Sequence, residues 1–104
     1  MKKIIKLKKL AGEFAENKDI AKEVRIAEIM PALSKGIEIV IDFTGVSGAT
    51  QSFIHALVSD PIREFKGVAF DKLIYKDAND DIREIISIVY RYMQESLYGE
   101  SADV

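Results

Sequence analysis

The chain has 104 residues, no cysteine, no tryptophan and one histidine, with 15 basic against 17 acidic residues and 48% apolar residues. That length makes one domain, able to bury roughly 65% of its unfolded surface without staples. Missing cysteines exclude a disulfide scaffold, a thiol nucleophile and a cysteine zinc site, and a lone His55 excludes a histidine-rich metal centre.

Charge is unevenly placed. Lys2, Lys3, Lys6, Lys8 and Lys9 lie in the first ten residues, which leaves ten basic and 17 acidic residues in the remainder, a net of −7. A body of that sign argues against nucleic acid as a partner. The lysines fit the solvent side of an edge strand, where they discourage strand-on-strand aggregation. No apolar run approaches the roughly 18 residues that span a bilayer, and the lysine-broken start is unlike a signal peptide, so a cytoplasmic domain without a membrane partner is expected.

Lys3 to Lys9 alternates, with Ile5 and Leu7 on one side and Lys6 and Lys8 on the other, which predicts a half-exposed strand. Ala11 to Asn17 reads as a connection. From Asp19, a candidate N-cap, Ile20, Val24, Ala27, Met30 and Leu33 fall at helical spacing; Pro31 predicts a kink and Gly36 a stop. Ile37 to Phe43 holds three consecutive β-branched residues, Ile39, Val40 and Ile41. Such a run suits a central strand covered on both faces. After the loop Thr44 to Ala49, Thr50 is placed to cap a helix carrying Phe53, Ile54, Leu57 and Val58. Asp60-Pro61 predicts a fresh short helix, closed by Phe65-Lys66-Gly67.

Asp71 to Tyr75 predicts a third strand, followed by a turn from Lys76 to Asp80. Asn79, Asp80 or Asp81 caps the last helix, and Asp81 with Glu84 has capping-box spacing. Ile82, Ile85, Ile86, Val89, Met93 and Leu97 form the strongest helical stripe in the chain. Tyr75, Tyr90, Tyr92 and Tyr98 read as core and rim aromatics; Tyr90 lies off the stripe and is expected to contact a partner. Gly99 ends the helix, and residues 99–104 are expected to fray from a single domain over residues 1–98. The order strand-helix-strand-helix-strand-helix predicts an α/β fold with a small, mostly parallel sheet.

In such sheets ligands sit beyond the carboxyl ends of the strands. Asp42, Asp77, Thr44 to Ala49, Thr50 and Ser52 belong to that edge. Two strand-end carboxylates beside a helix start suit Mg²⁺ or a phosphate group. The simpler reading has Asp42 accepting from loop amides and Thr50 and Ser52 capping the helix. No Walker A loop, dinucleotide fingerprint or nucleophile–base pair accompanies them. A catalytic role, a metal and a cofactor are therefore not expected, and His55 reads as structural.

The stretch Ile39-Val40-Ile41-Asp42-Phe43-Thr44-Gly45-Val46, followed by Gln51-Ser52-Phe53-Ile54, resembles the STAS-like domain family of small bacterial proteins. Leu73 to Asp77, with Asn79 and Ile82 beyond, resembles that family's third strand and polar turn. The likeness covers residues 20–97. It implies a STAS-like fold, distantly similar to the STAS domains of anti-sigma factor antagonists. In those, a serine at the start of the helix after the central strand is phosphorylated by a kinase of the histidine-kinase-like ATPase fold. The antagonists carry Asp-Ser-Ser-Gly where this chain has Thr50-Gln51-Ser52-Phe53. Aligned without gaps from Asp42, the phosphorylated serine falls on Gln51, beside Ser52. The resemblance thus implies a protein-interaction or regulatory module, with Ser47, Thr50, Gln51 and Ser52 at the partner surface and Ser52 or Thr50 as phosphoacceptor. Two other readings stand beside it. One is a small phosphate- or nucleotide-binding enzyme using Asp42 and Asp77. The other is an oligomerisation domain using an open sheet edge to form a homo-oligomer.

Overall fold

A computed structural model describes residues 1–96. Strands β1 (Lys2–Lys6), β3 (Glu38–Asp42) and β5 (Leu73–Lys76) form an all-parallel sheet in the order β1-β3-β5, with Ile5 opposite Ile41 and Ile41 opposite Tyr75. A second, two-stranded parallel sheet pairs β2 (Phe14–Ala15) with β4 (Gly48–Ala49). The helices are α1 (Leu7–Ala11), α2 (Lys18–Val24), α3 (Met30–Ser34), α4 (Gln51–Phe65), α5 (Gly67–Lys72) and α6 (Asp80–Gln94), with a π-helical turn at Arg25–Ile29 between α2 and α3. The strand–helix alternation places β3 in the middle, as its apolar run predicts. Leu97, Tyr98, Gly99 and the expected frayed end at 99–104 lie outside the described residues.

The core sits between one face of the three-stranded sheet and the helices. Ile5, Ile39, Ile41 and Leu73 join it from the sheet, Phe53, Ile54, Leu57 and Val58 from α4, and Ile82, Ile86, Val89 and Met93 from α6. The other sheet face differs from expectation. Val40 is buried yet stands apart from the core cluster, and its register neighbours Ile4 and Ile74 are 55% and 38% exposed. Val40 lies between the β-branched Ile4 and Ile74 in register, outside the core that the helices cover. A continuous apolar run thus served lateral packing within the sheet as well as the core.

Several boundaries also move. The first strand ends at Lys6, because Leu7-Lys8-Lys9-Leu10-Ala11 are good helix formers and Gly12, at φ 81°, stops them. Asn17, not Asp19, caps α2, accepting from the amides of Asp19 and Ile20. The predicted stripe breaks after Val24: Ala27 is exposed and Met30 only half-buried, whereas Ile29 is fully buried. The π turn inserts one residue, so the inward position falls five residues beyond Val24. It leads directly into Pro31, near the start of α3. Gly36 ends that helix at φ 70°.

Helix α4 runs unbroken through Pro61. Asp60 does not cap a new helix, because its carboxylate is held by Arg25 Nε at 3.6 Å and by Arg63 Nη1 at 2.8 Å. Arg25 also donates to the Ala56 carbonyl at 2.9 Å. These bonds pin the middle of α4 to the π turn. Asn79 caps α6 by accepting from the Ile82 amide, so the Asp81–Glu84 box is not the cap. Asp71 and Lys72 end α5 instead of opening β5, which reaches Lys76.

Candidate functional site

The carboxyl ends of β3 and β5 are tied together by one hydroxyl. Asp42, the last residue of β3, accepts the Thr44 amide at 2.9 Å and lies 2.6 Å from Thr44 Oγ1. The same Oγ1 lies 2.8 Å from Asp77 Oδ2, just past β5. A hydroxyl has a single proton, so Thr44 serves the two carboxylates alternately. Asp77 takes φ 55°, a conformation aspartate tolerates better than most residues, and the turn carries it back over β3. The strand-end pair read from the sequence is therefore a real juxtaposition.

Electrostatics follow from register. Lys6 and Lys76 are the strand neighbours of Asp42 on either side. The Thr44 hydroxyl, then the Thr44 amide, hold the Asp42 carboxyl below its ordinary range, with Lys76 and Lys6 assisting against the opposing effect of desolvation. No group of three or more histidine, cysteine or acidic side chains placed to hold a metal ion occurs among the described residues.

The loop beyond Thr44 is fastened at both ends. The Phe43 amide donates to the Lys76 carbonyl and the Val46 amide to the Phe43 carbonyl, each at 2.8 Å. Gly45 takes φ 82°, and the Lys8 side chain lies directly over it: a Cβ there would come within 2.7 Å of Lys8 Cδ. The Ser47 amide donates to the Glu13 carbonyl at 2.7 Å and Ser47 Oγ to the same oxygen at 3.1 Å, while Asn79 Nδ2 donates to the Ser47 carbonyl at 2.8 Å. The Thr50 amide closes the loop on the Ala15 carbonyl at 2.9 Å. Glu13, Lys8 and the amide half of Asn79 are supports that sequence reasoning missed. Asn79 stood out as a cap and within the polar turn of the resemblance, but nothing in local spacing marks a second bond to a loop 32 residues earlier.

The structure separates the four partner-surface candidates by what their side chains already do. Thr50 is the N-cap of α4, its Oγ1 accepting the Phe53 amide at 3.0 Å. Ser47 is engaged with Glu13. Gln51 and Ser52 are exposed on the first turn, and the only side-chain hydrogen bond of Ser52 among the described residues is with Thr50 Oγ1 at 3.3 Å. His55, one turn on, is half-buried with its ring edge-to-face against Tyr92 at 5.9 Å. Tyr90 is not a surface contact: it is half-buried, bonded to Tyr75 and packed on Phe70. Its place off the stripe reflects contact with the β5 edge.

No described helix is long and apolar enough to cross a membrane. No curated protein and no solved structure matches the chain. The family model of a STAS-like domain of unknown function matches residues 8–83, well over half of the sequence and all of the loop and strand ends just described. The small parallel sheet with its helices agrees with that match, and the chain belongs to the STAS-like domain family.

Proposed function

We propose that this protein is a non-catalytic regulatory module that binds another protein through the Thr44–Ala49 loop and the first turn of α4, with Ser52 as its phosphoacceptor. One observation carries the choice of Ser52: its hydroxyl is exposed and meets only the neighbouring Thr50 hydroxyl among the described residues, whereas Thr50 caps the helix and Ser47 is held by the Glu13 carbonyl. A phosphate on Ser52 would sit in the first turn of α4, where the helix end favours negative charge by roughly 0.3–1 kcal/mol at exposed sites. The fold would tolerate the group while the partner surface gained about two negative charges. By analogy with the anti-sigma factor antagonists, the partner is an ATPase of the histidine-kinase-like fold. Asp42 and Asp77, on this reading, fix the loop through Thr44 rather than act on a substrate.

Capture of partners from a native extract, with the intact mass of the recovered chain, tests this reading. A kinase-fold ATPase bound to the unmodified chain, lost on Ser52→Asp and kept on Ser87→Ala, an exposed serine on α6 outside the proposed surface, is expected. A partner that binds wild type and Ser52→Asp equally overturns the switch.

A further inference from the structure

We infer a second docking surface, separate from the α4 start: the free edge of β1, fitted to an extended, acidic segment of another protein that adds to the sheet as a fourth strand. β1 pairs only with β3, so the backbone groups along its outer side have no strand partner. A groove of about 340 Å³ follows this edge, walled by Ile4 and Ile5 on the strand and by Lys9 and Leu10 on α1. Glu28 of the π turn borders it and also borders a more apolar depression lined by Leu10, Ile20 and Val24. Ile4 and Leu10, 55% and 48% exposed, give the groove an apolar lining that an incoming strand would cover.

Charge selects the occupant. Lys2 and Lys3 are paired with Glu38 and Glu28, but Lys6, Lys8 and Lys9 have no carboxylate within ion-pair distance among the described residues. The edge therefore carries positive charge, offset only in part by Asp42 across the strand pair from Lys6, beside exposed apolar side chains in a chain that is acidic elsewhere. Two β1 edges brought together would oppose Lys2, Lys3 and Lys6 with their own copies, so a second copy is disfavoured. The same lysines that reject a like strand attract one whose acidic residues alternate with apolar ones.

The experiment titrates the full ¹⁵N-labelled chain with a ten-residue peptide of alternating glutamate and valine. Its comparators are the lysine–valine counterpart and a ten-nucleotide single-stranded DNA. Saturable binding of the acidic peptide is expected, with amide shifts centred on residues 2–10 and slowed hydrogen exchange along β1. Lys6→Glu with Lys9→Glu should weaken it at least tenfold and turn preference to the lysine peptide. Lys6→Gln with Lys9→Gln, which preserves length, should weaken it several-fold and covers any folding defect of the reversal. Any of four results overturns the inference: no saturable binding of the acidic peptide, shifts centred on Thr44 to Ser52, tighter binding of the oligonucleotide, or a β1-mediated dimer in the absence of peptide. Loss of the Ser52 switch would leave these outcomes unchanged.

Discussion

The hydroxyls of Tyr75 and Tyr90 stand 2.6 Å apart, joining the β5 edge of the sheet to α6 through a single hydrogen bond. Their rings meet edge-to-face at 5.8 Å, and Phe70 and Phe43 extend the cluster on either side. Burial, aided by the neighbouring Tyr90, raises the Tyr75 phenol well above the ordinary value, and burial pushes Tyr90 up to about 12.

Alkaline stability should register this pair. The folded phenols hold their protons to higher pH than unfolded ones, so the unfolded chain ionises first as pH rises past about 10. Stability supplied by the neutral pair is complete below that point and is lost progressively towards about 12, by roughly 1–3 kcal/mol. Urea melts of wild type and of Tyr75→Phe with Tyr90→Phe at pH 8 and 11 check this. The double variant should be nearly neutral at pH 8 and lose less at pH 11. Tyr75→Phe alone, leaving the half-buried Tyr90 hydroxyl without its partner, should cost about 0.5–1.5 kcal/mol at pH 8.

The two hydroxyls at the start of α4 should separate cleanly. Thr50→Ala removes the bond to the Phe53 amide and should cost about 0.5–2 kcal/mol. Ser52→Ala and Ser52→Asp should each stay within about 0.5 kcal/mol of wild type, or slightly above it for the aspartate, since Ser52 is exposed. Thermal melts of the three variants decide it, and a large loss for Ser52→Asp would place that side chain in the core.

The π turn makes a register prediction. Ile29→Ala should destabilise by about 2–5 kcal/mol, because Ile29 is fully buried, whereas Ile26→Ala, at 55% exposure, should change stability by less than about 0.5 kcal/mol. A regular helix continuing the Val24–Ala27–Met30 stripe would instead make Ile29 cheap. Chemical denaturation of the two variants distinguishes the arrangements.

Gly45→Ala should loosen the loop. The alanine would hold φ 82° at a cost of about 1–2 kcal/mol and would displace the Lys8 side chain lying over it. Faster amide exchange at Val46 and Ser47, with α4 protection unchanged, is the expected readout.

The sequence by itself determined the alternation of the three main strands with helices, the central place of β3, the cap at Thr50 and the buried stripes of α4 and α6, and narrowed the α6 cap to Asn79, Asp80 or Asp81. Each rests on interactions a few residues apart, so periodicity and cap chemistry expose them. The strand-end carboxylates Asp42 and Asp77 were legible as neighbours for a topological reason: parallel strands bring their carboxyl ends to one edge. Tertiary structure decided the rest. The π turn that puts Ile29 inside, the continuity of α4 through Pro61 and the sharing of Thr44 between two carboxylates each depend on partners distant in sequence. Arg25 reaches Asp60 and the Ala56 carbonyl, and α4 runs through the Asp60-Pro61 signal without starting afresh. Ser52 stood out from Thr50 and Ser47 only once their hydroxyls were seen to be occupied. A side chain's idleness is a property of its surroundings, which no spacing within the chain encodes.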